Sequence, residues 1–148
     1  MKQLAGAVSR CLGHGVVALL TAMVLNVLWQ ITSRYLLGRP SPFTEEIARF
    51  LLIWLGLLGG AYASSFGDHI ALDLLPLTQV WRNRVQRLAM ATLGLLLVTG
   101  GAWLVRFTAE LEQRSAALNL PLAWVYLAAP LAGLLIVFFA LTPKAQDQ

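Results

Sequence analysis

The sequence predicts an all-α integral membrane protein with four transmembrane helices and short interfacial helical segments. Composition is the first observation: 58% of the 148 residues are hydrophobic and only 12% are charged, against roughly half and a quarter in soluble domains. The distribution of charge is the second. Residues 50–67, 88–105 and 115–143 carry no Asp, Glu, Lys or Arg, and residues 11–33 carry only His14. Each window meets the roughly 18-residue threshold for a spanning helix. A central Arg or Asp costs about 2.5–3.5 kcal/mol in such a helix, while each Leu returns about 0.3–0.6. Insertion into lipid therefore selects for clean windows of this kind.

The first helix is expected over residues 12–33. Lys2 and Arg10 give it a basic start like that of a signal peptide. Its apolar run exceeds the usual 7–15 residues of a signal core, and no small-x-small cleavage site follows, so it reads as a retained anchor. A connector with Gly38, Pro40 and Pro42 leads to the second helix, expected over 47–66. Ser41 or Thr44 can cap it, Pro42 suits a first turn, and Glu45 and Glu46 complement the positive end of the helix. Between helices two and three, Ile70, Leu74, Leu77 and Trp81 recur at near-helical spacing. They predict a short interfacial piece broken at Pro76, or an extension of the third helix. The third helix is expected over 86–106, running on if Glu110 and Arg114 pair at i,i+4. The fourth is expected over 122–142. One four-helix membrane domain thus covers residues 1–148, with no connecting segment long enough for another.

Basic residues set the orientation. With both termini inside, Lys2, Arg10, Arg82, Arg84, Arg87 and Lys144 face the cytoplasm, and Arg34, Arg39, Arg49, Arg106 and Arg114 the other side. Six against five, together with the dense cluster at 82–87, places the termini in the cytoplasm. Trp29, Trp103 and Trp124 then form an outer aromatic belt, with Trp81 at the inner boundary. The single cysteine, Cys11, excludes an internal disulfide and a two-cysteine redox relay. The net charge of +4 fits basic flanks that meet membrane lipids. No basic-aromatic pattern points to nucleic acid.

Ion-coupled transport needs ionisable groups inside the membrane, and the four windows offer none at mid-depth. The polar candidates expected at that depth, Asn26 and Gln30, lie four apart on one helix face and read as interhelical hydrogen-bonding groups. Gly56 and Gly60 make a GxxxG step that lets a second helix approach, either within the unit or on another protein. Pro130 and Gly133 predict a kink or a close contact in the fourth helix. Glu45 and Arg49 have the favoured i,i+4 order. They form either a surface pair or a fixed partnership with Arg49 partly buried at the membrane boundary. Asp68, His69 and Asp73 lie at the inner end of the second helix, and a His69–Asp73 pair could orient a metal ligand or fix the inner segment. Two residues do not make a metal site. A bis-histidine haem held by His14 and His69 is the remaining cofactor possibility, and it motivates the alternative of a haem- or quinone-linked anchor of a respiratory enzyme. The favoured reading needs no cofactor.

The stretch FTEEIARFLLIWLGLLGGAYASSFGDHIALDLL over residues 43–75 resembles the small membrane subunit of TRAP transporters, the DctQ-type permease of tripartite ATP-independent periplasmic systems. Glu45-Glu46, Arg49, Trp54, the small-residue run 56–63, Gly67, His69 and Asp73 carry the resemblance. LPLAWVYLAAPLAG over 120–133 is similar to the last helix of that family. Ala71 departs from the pattern, where members often carry a basic residue. The resemblance implies a non-catalytic subunit of a bacterial inner-membrane importer of organic acids. A large permease subunit (M-type) would hold the substrate and sodium sites, and a periplasmic binding protein (P-type) would deliver substrate. Glu45, Glu46, Arg49, Gly56, Gly60, His69 and Asp73 are then the assembly candidates.

Overall fold

A computed structural model describes residues 2–38, 41–66 and 79–142. Five helices follow in order: α1 (Lys2–Tyr35), α2 (Pro42–Phe66), α3 (Gln79–Glu110), α4 (Leu122–Tyr126) and α5 (Ala128–Leu141). The segments Gln3–Tyr35, Pro42–Phe66, Arg84–Glu110 and Leu122–Leu141 are each long and apolar enough to cross a membrane. The all-α membrane class expected from composition is therefore the class observed. α4 and α5 share the fourth crossing. Pro130 has no N–H to give the Tyr126 carbonyl, which accounts for the break there. Leu127 keeps helical torsions (φ −56°, ψ −23°), so the crossing continues.

The helices extend past the windows that predicted them. α1 starts at Lys2 rather than near residue 12, and α2 starts at Pro42. Charge ends a membrane span but not a helix, and Arg10 and Glu45 are compatible with helical backbone. α3 stops at Glu110. Arg114 lies beyond that end and its guanidinium donates to the Asn119 carbonyl (3.4 Å), so the expected helical Glu110–Arg114 pair does not form. His69, Asp73, Asp68 and the interfacial piece around Pro76 lie outside the described residues, although Trp81 belongs to α3.

Packing runs in a row rather than a closed bundle. α1 packs on α2, α2 on α5, and α5 on α3; no comparable interface joins α1 to α3 among the described residues. The core is small and alanine-rich: Ala61, Ala132, Ala140, Met90 and Ile136 meet where α2, α3 and α5 converge. Small residues set the spacing between α3 and α5. A Cβ at Gly133 would stand 2.7 Å from the Gly94 carbonyl oxygen, and one at Gly101 would stand 2.8 Å from the Pro130 nitrogen. The contact expected at Pro130 and Gly133 is thus between helix backbones. Outward faces are as apolar as inward ones, with Leu20, Leu25, Leu52, Leu93, Leu96 and Leu134 all exposed. In water that would be costly; against lipid tails it is the required surface.

Two polar contacts fix the register of α1 on α2. Ser9 and Ser65 share a hydrogen bond of 2.9 Å near one end, and Asn26 Nδ2 donates to the Thr44 carbonyl at 2.8 Å near the other. Between them the Tyr62 ring lies against Gly13, where a Cβ would meet it at 2.9 Å. From Arg10, Gln30 lies about 30 Å and Arg34 about 36 Å along the helix at 1.5 Å per residue. The hydrocarbon core is about 30 Å thick, and headgroups bring the bilayer to about 40–45 Å. Asn26 thus meets the first turn of α2 near a membrane boundary rather than at mid-depth.

Candidate functional site at the loop end

The end of α1, the start of α2, the end of α3 and the start of α4 gather at one end of the row. α3 finishes there in a Schellman arrangement: the Gln113 N–H donates to the Thr108 carbonyl (3.2 Å) and the Glu112 N–H to that of Ala109 (3.1 Å). This motif requires a left-handed residue, and Glu112 fills the position at φ 47°. The chain then doubles back. Arg114 bridges Pro121, Leu122 N–H donates to Gln113 (2.9 Å), and Ser115 N–H donates to Leu120 (2.9 Å). Between these rungs, residues 115–119 make a single helical turn closed by Asn119 N–H to the Ser115 carbonyl (3.0 Å). Asn119 takes φ 54°, which asparagine tolerates.

Such a turn leaves its first N–H groups without intrahelical acceptors. Glu46 supplies the acceptors from α2, seventy residues away. Its Oε1 accepts from Ala116 N–H (3.1 Å), and its Oε2 accepts from Ala117 and Leu118 N–H (both 2.9 Å). Ser115 Oγ adds an acceptor for Leu118 N–H at 3.3 Å. Consecutive N–H groups form an anion-binding nest, and a carboxylate, which only accepts, is the side chain that fits it. Glu46 therefore clasps the hairpin between α3 and α4 onto the start of α2. Thr44 lies beneath the clasp, fully buried, with its hydroxyl donating to the Ser41 carbonyl (2.7 Å).

The other candidates at this end behave differently. Arg49 and Glu45 pair at 3.7 Å, but their side chains are 69% and 62% exposed. Within the described residues the Arg49 side chain is exposed, so burial of its charge would have to come from lipid or another protein. Such an exposed pair contributes under about 1 kcal/mol. Trp29, Trp103 and Trp124 are exposed toward the loop end, with Trp103 stacked on Phe107 at 5.3 Å.

Further along α2, Gly56, Gly60 and Ala63 are exposed, and a Cβ placed at Gly56, Gly59 or Gly60 would meet nothing within 4 Å. The GxxxG step thus has no close neighbour among the described residues. The family model of the DctQ component of tripartite ATP-independent periplasmic transporters matches residues 23–146, spanning α2, the clasp and the last three helices. The chain belongs to this family. A Haemophilus influenzae protein assigned as a TRAP transporter small permease is 26% identical over 147 residues, covering 96% of this chain and 90% of that one. The sialic acid TRAP transporter small permease protein SiaQ of Vibrio cholerae is 26% identical over 127 residues, covering 82% and 72%. This DctQ-family chain is a transporter permease subunit and a multi-pass inner-membrane protein.

His14, weighed as a haem ligand, is exposed on α1, and its Nδ1 lies 2.7 Å from the Arg10 carbonyl of its own helix. His69, the partner named for it, lies outside the described residues. The residues that the sequence did not single out are Ser115 to Leu118, Tyr62, Gly94 and Gly101. The local signal at the first group was Ser115-Ala116-Ala117, a hydroxyl followed by side chains small enough to leave their N–H groups open.

Proposed function

We propose that this chain is the small, non-catalytic membrane subunit of a tripartite, sodium-coupled transporter that imports an organic acid. A large permease subunit would hold the substrate and sodium sites, and a periplasmic binding protein would deliver the acid. This chain would enlarge the static part of the permease and hold it in the bilayer. Family membership supports the subunit class. The observation that carries the scaffolding role is the open face of α2, where three glycines have room for a close backbone neighbour and the described residues supply none. Small residues of this kind let membrane helices approach each other. The lack of ionisable side chains at mid-depth in the four crossings supports placing ion coupling in the partner. The sialic acid named for the Vibrio cholerae relative is an organic acid, which supports that substrate class. Both termini face the cytoplasm in this reading, and the Glu46 clasp faces the periplasm.

Co-expression with the large permease of the same system tests the proposal. The two should purify as one complex, and uptake should need both together with the binding protein and a sodium gradient. Uptake by this chain alone would overturn it.

A further inference from the structure

A cavity of about 140 Å³ lies in the notch where α1 outreaches the start of α2, lined by Gln30, Arg34, Ser41, Pro42 and Glu45. At about 30 Å³ per liquid water it has room for four or five waters, or for the polar part of a small headgroup. Its polar groups have hydrogen-bonding capacity to spare. Neither the Gln30 side-chain amide nor the Arg34 guanidinium has a hydrogen-bond partner among the described residues, and the Ser41 hydroxyl oxygen is buried with none. Enclosed polar atoms are normally satisfied, so an orphan of this kind calls for an explanation. Glu45 brings one carboxylate, and its loose contact with Arg49 leaves it largely exposed.

Depth narrows the ligand. Gln30 and Arg34 lie about 30 and 36 Å along α1 from Arg10 at 1.5 Å per residue, which is the headgroup layer of a bilayer about 40–45 Å thick overall. Tyr35, Leu36, Leu37 and Phe43 adjoin the lining residues in sequence and are all exposed. The cavity thus opens among apolar side chains at a lipid boundary. Among the described residues its lining holds one cation and one anion, which suits a ligand carrying both charges better than a simple anion.

We propose that this notch binds the headgroup of a phospholipid that carries an amine, such as phosphatidylethanolamine. The phosphodiester takes the Arg34 guanidinium and the Gln30 amide, and the ammonium takes the Glu45 carboxylate. A guanidinium suits phosphate because it offers paired N–H donors. The site uses only residues of this chain and needs no transport partner.

Native mass spectrometry of the purified chain, supplied with phosphatidylethanolamine or phosphatidylglycerol, tests this. Wild type should retain the ethanolamine lipid roughly tenfold better, the effect of one charge-assisted hydrogen bond. Glu45→Gln should remove that preference while leaving phosphatidylglycerol retention intact. Arg34→Gln should weaken both lipids, and Arg34→Lys should restore part of the loss. Glycerophosphoethanolamine, the soluble headgroup, should compete only weakly. Equal retention of the two lipids by wild type would overturn the proposal, as would an Arg34→Gln variant that binds both normally. A soluble headgroup that binds as well as the lipid would overturn the assignment to membrane.

Discussion

One added methyl group should have opposite consequences at two glycines of this chain. At Gly133 a Cβ would lie 2.7 Å from the Gly94 carbonyl oxygen, 2.8 Å from the Val98 nitrogen and 2.9 Å from Leu97 Cβ. Ordinary contact begins at 3.4 Å, so α5 must retreat from α3 by about 0.7 Å (3.4 − 2.7). Two of the blocking atoms belong to the backbone and cannot rotate away. Overpacking of this kind costs about 1–3 kcal/mol. The better helix propensity of alanine offsets about 1 kcal/mol, which leaves Gly133→Ala destabilised by about 0–2 kcal/mol. At Gly56 the same methyl meets nothing within 4 Å among the described residues, so Gly56→Ala should leave the isolated chain as stable as wild type or slightly more so. If a partner helix lies on that face, its complex pays the overpacking instead, and affinity falls by about 5- to 150-fold. Thermal unfolding of each purified variant, followed by tryptophan fluorescence, gives the first comparison. Titration against the large permease gives the second. A Gly133→Ala chain that melts above the wild-type temperature would refute the packing argument. A Gly56→Ala chain that loses as much stability as Gly133→Ala would refute the claim that this face is open.

Two further outcomes follow from the loop end. Glu46→Ala should strip the turn at 115–119 of its acceptors, and hydrogen exchange at the amides of Ala116, Ala117 and Leu118 should speed up at least about tenfold. Glu46→Gln, which keeps one carbonyl oxygen, should fall between. Unchanged exchange in both variants would show that the clasp does not hold the hairpin. Glu112→Gly should raise thermal stability by about 0.5–1 kcal/mol, because a left-handed backbone costs an L-residue about 1–2 kcal/mol while glycine loses about 0.5–1 in chain entropy. A lower melting temperature in that variant would count against the left-handed conformation.

The four crossings were legible because lipid imposes a rule on composition alone: a window either excludes charge or fails to insert. Helix ends were less legible. Arg10 and Glu45 mark where the membrane stops, yet α1 and α2 continue through them. Lateral packing was not legible, since exposed and buried faces are equally apolar and no periodicity separates them. Gly94 and Gly133 are as small as Gly56 and Gly60; only the fold tells which pair is used internally and which is left open. The Glu45, Glu46, Arg49 cluster was visible as a helix start, but spacing alone links Glu45 to Arg49 and names no partner for Glu46. The partner of Glu46 is a set of backbone N–H groups seventy residues away, and backbone donors leave no mark in side-chain chemistry. Arg114 misled for the opposite reason: its i,i+4 spacing from Glu110 fits a helix that has already ended.

The central claim is that α2 presents its open glycine face to the large permease. A photo-crosslinking amino acid placed at position 60, in the chain co-expressed with that permease in its native membrane, tests it most directly. The account predicts a covalent product with the large permease, lost when the probe is moved to position 61, where Ala61 is fully buried inside the chain. Crosslinks from position 60 only to lipid, or to a redox enzyme instead of a permease, would contradict it.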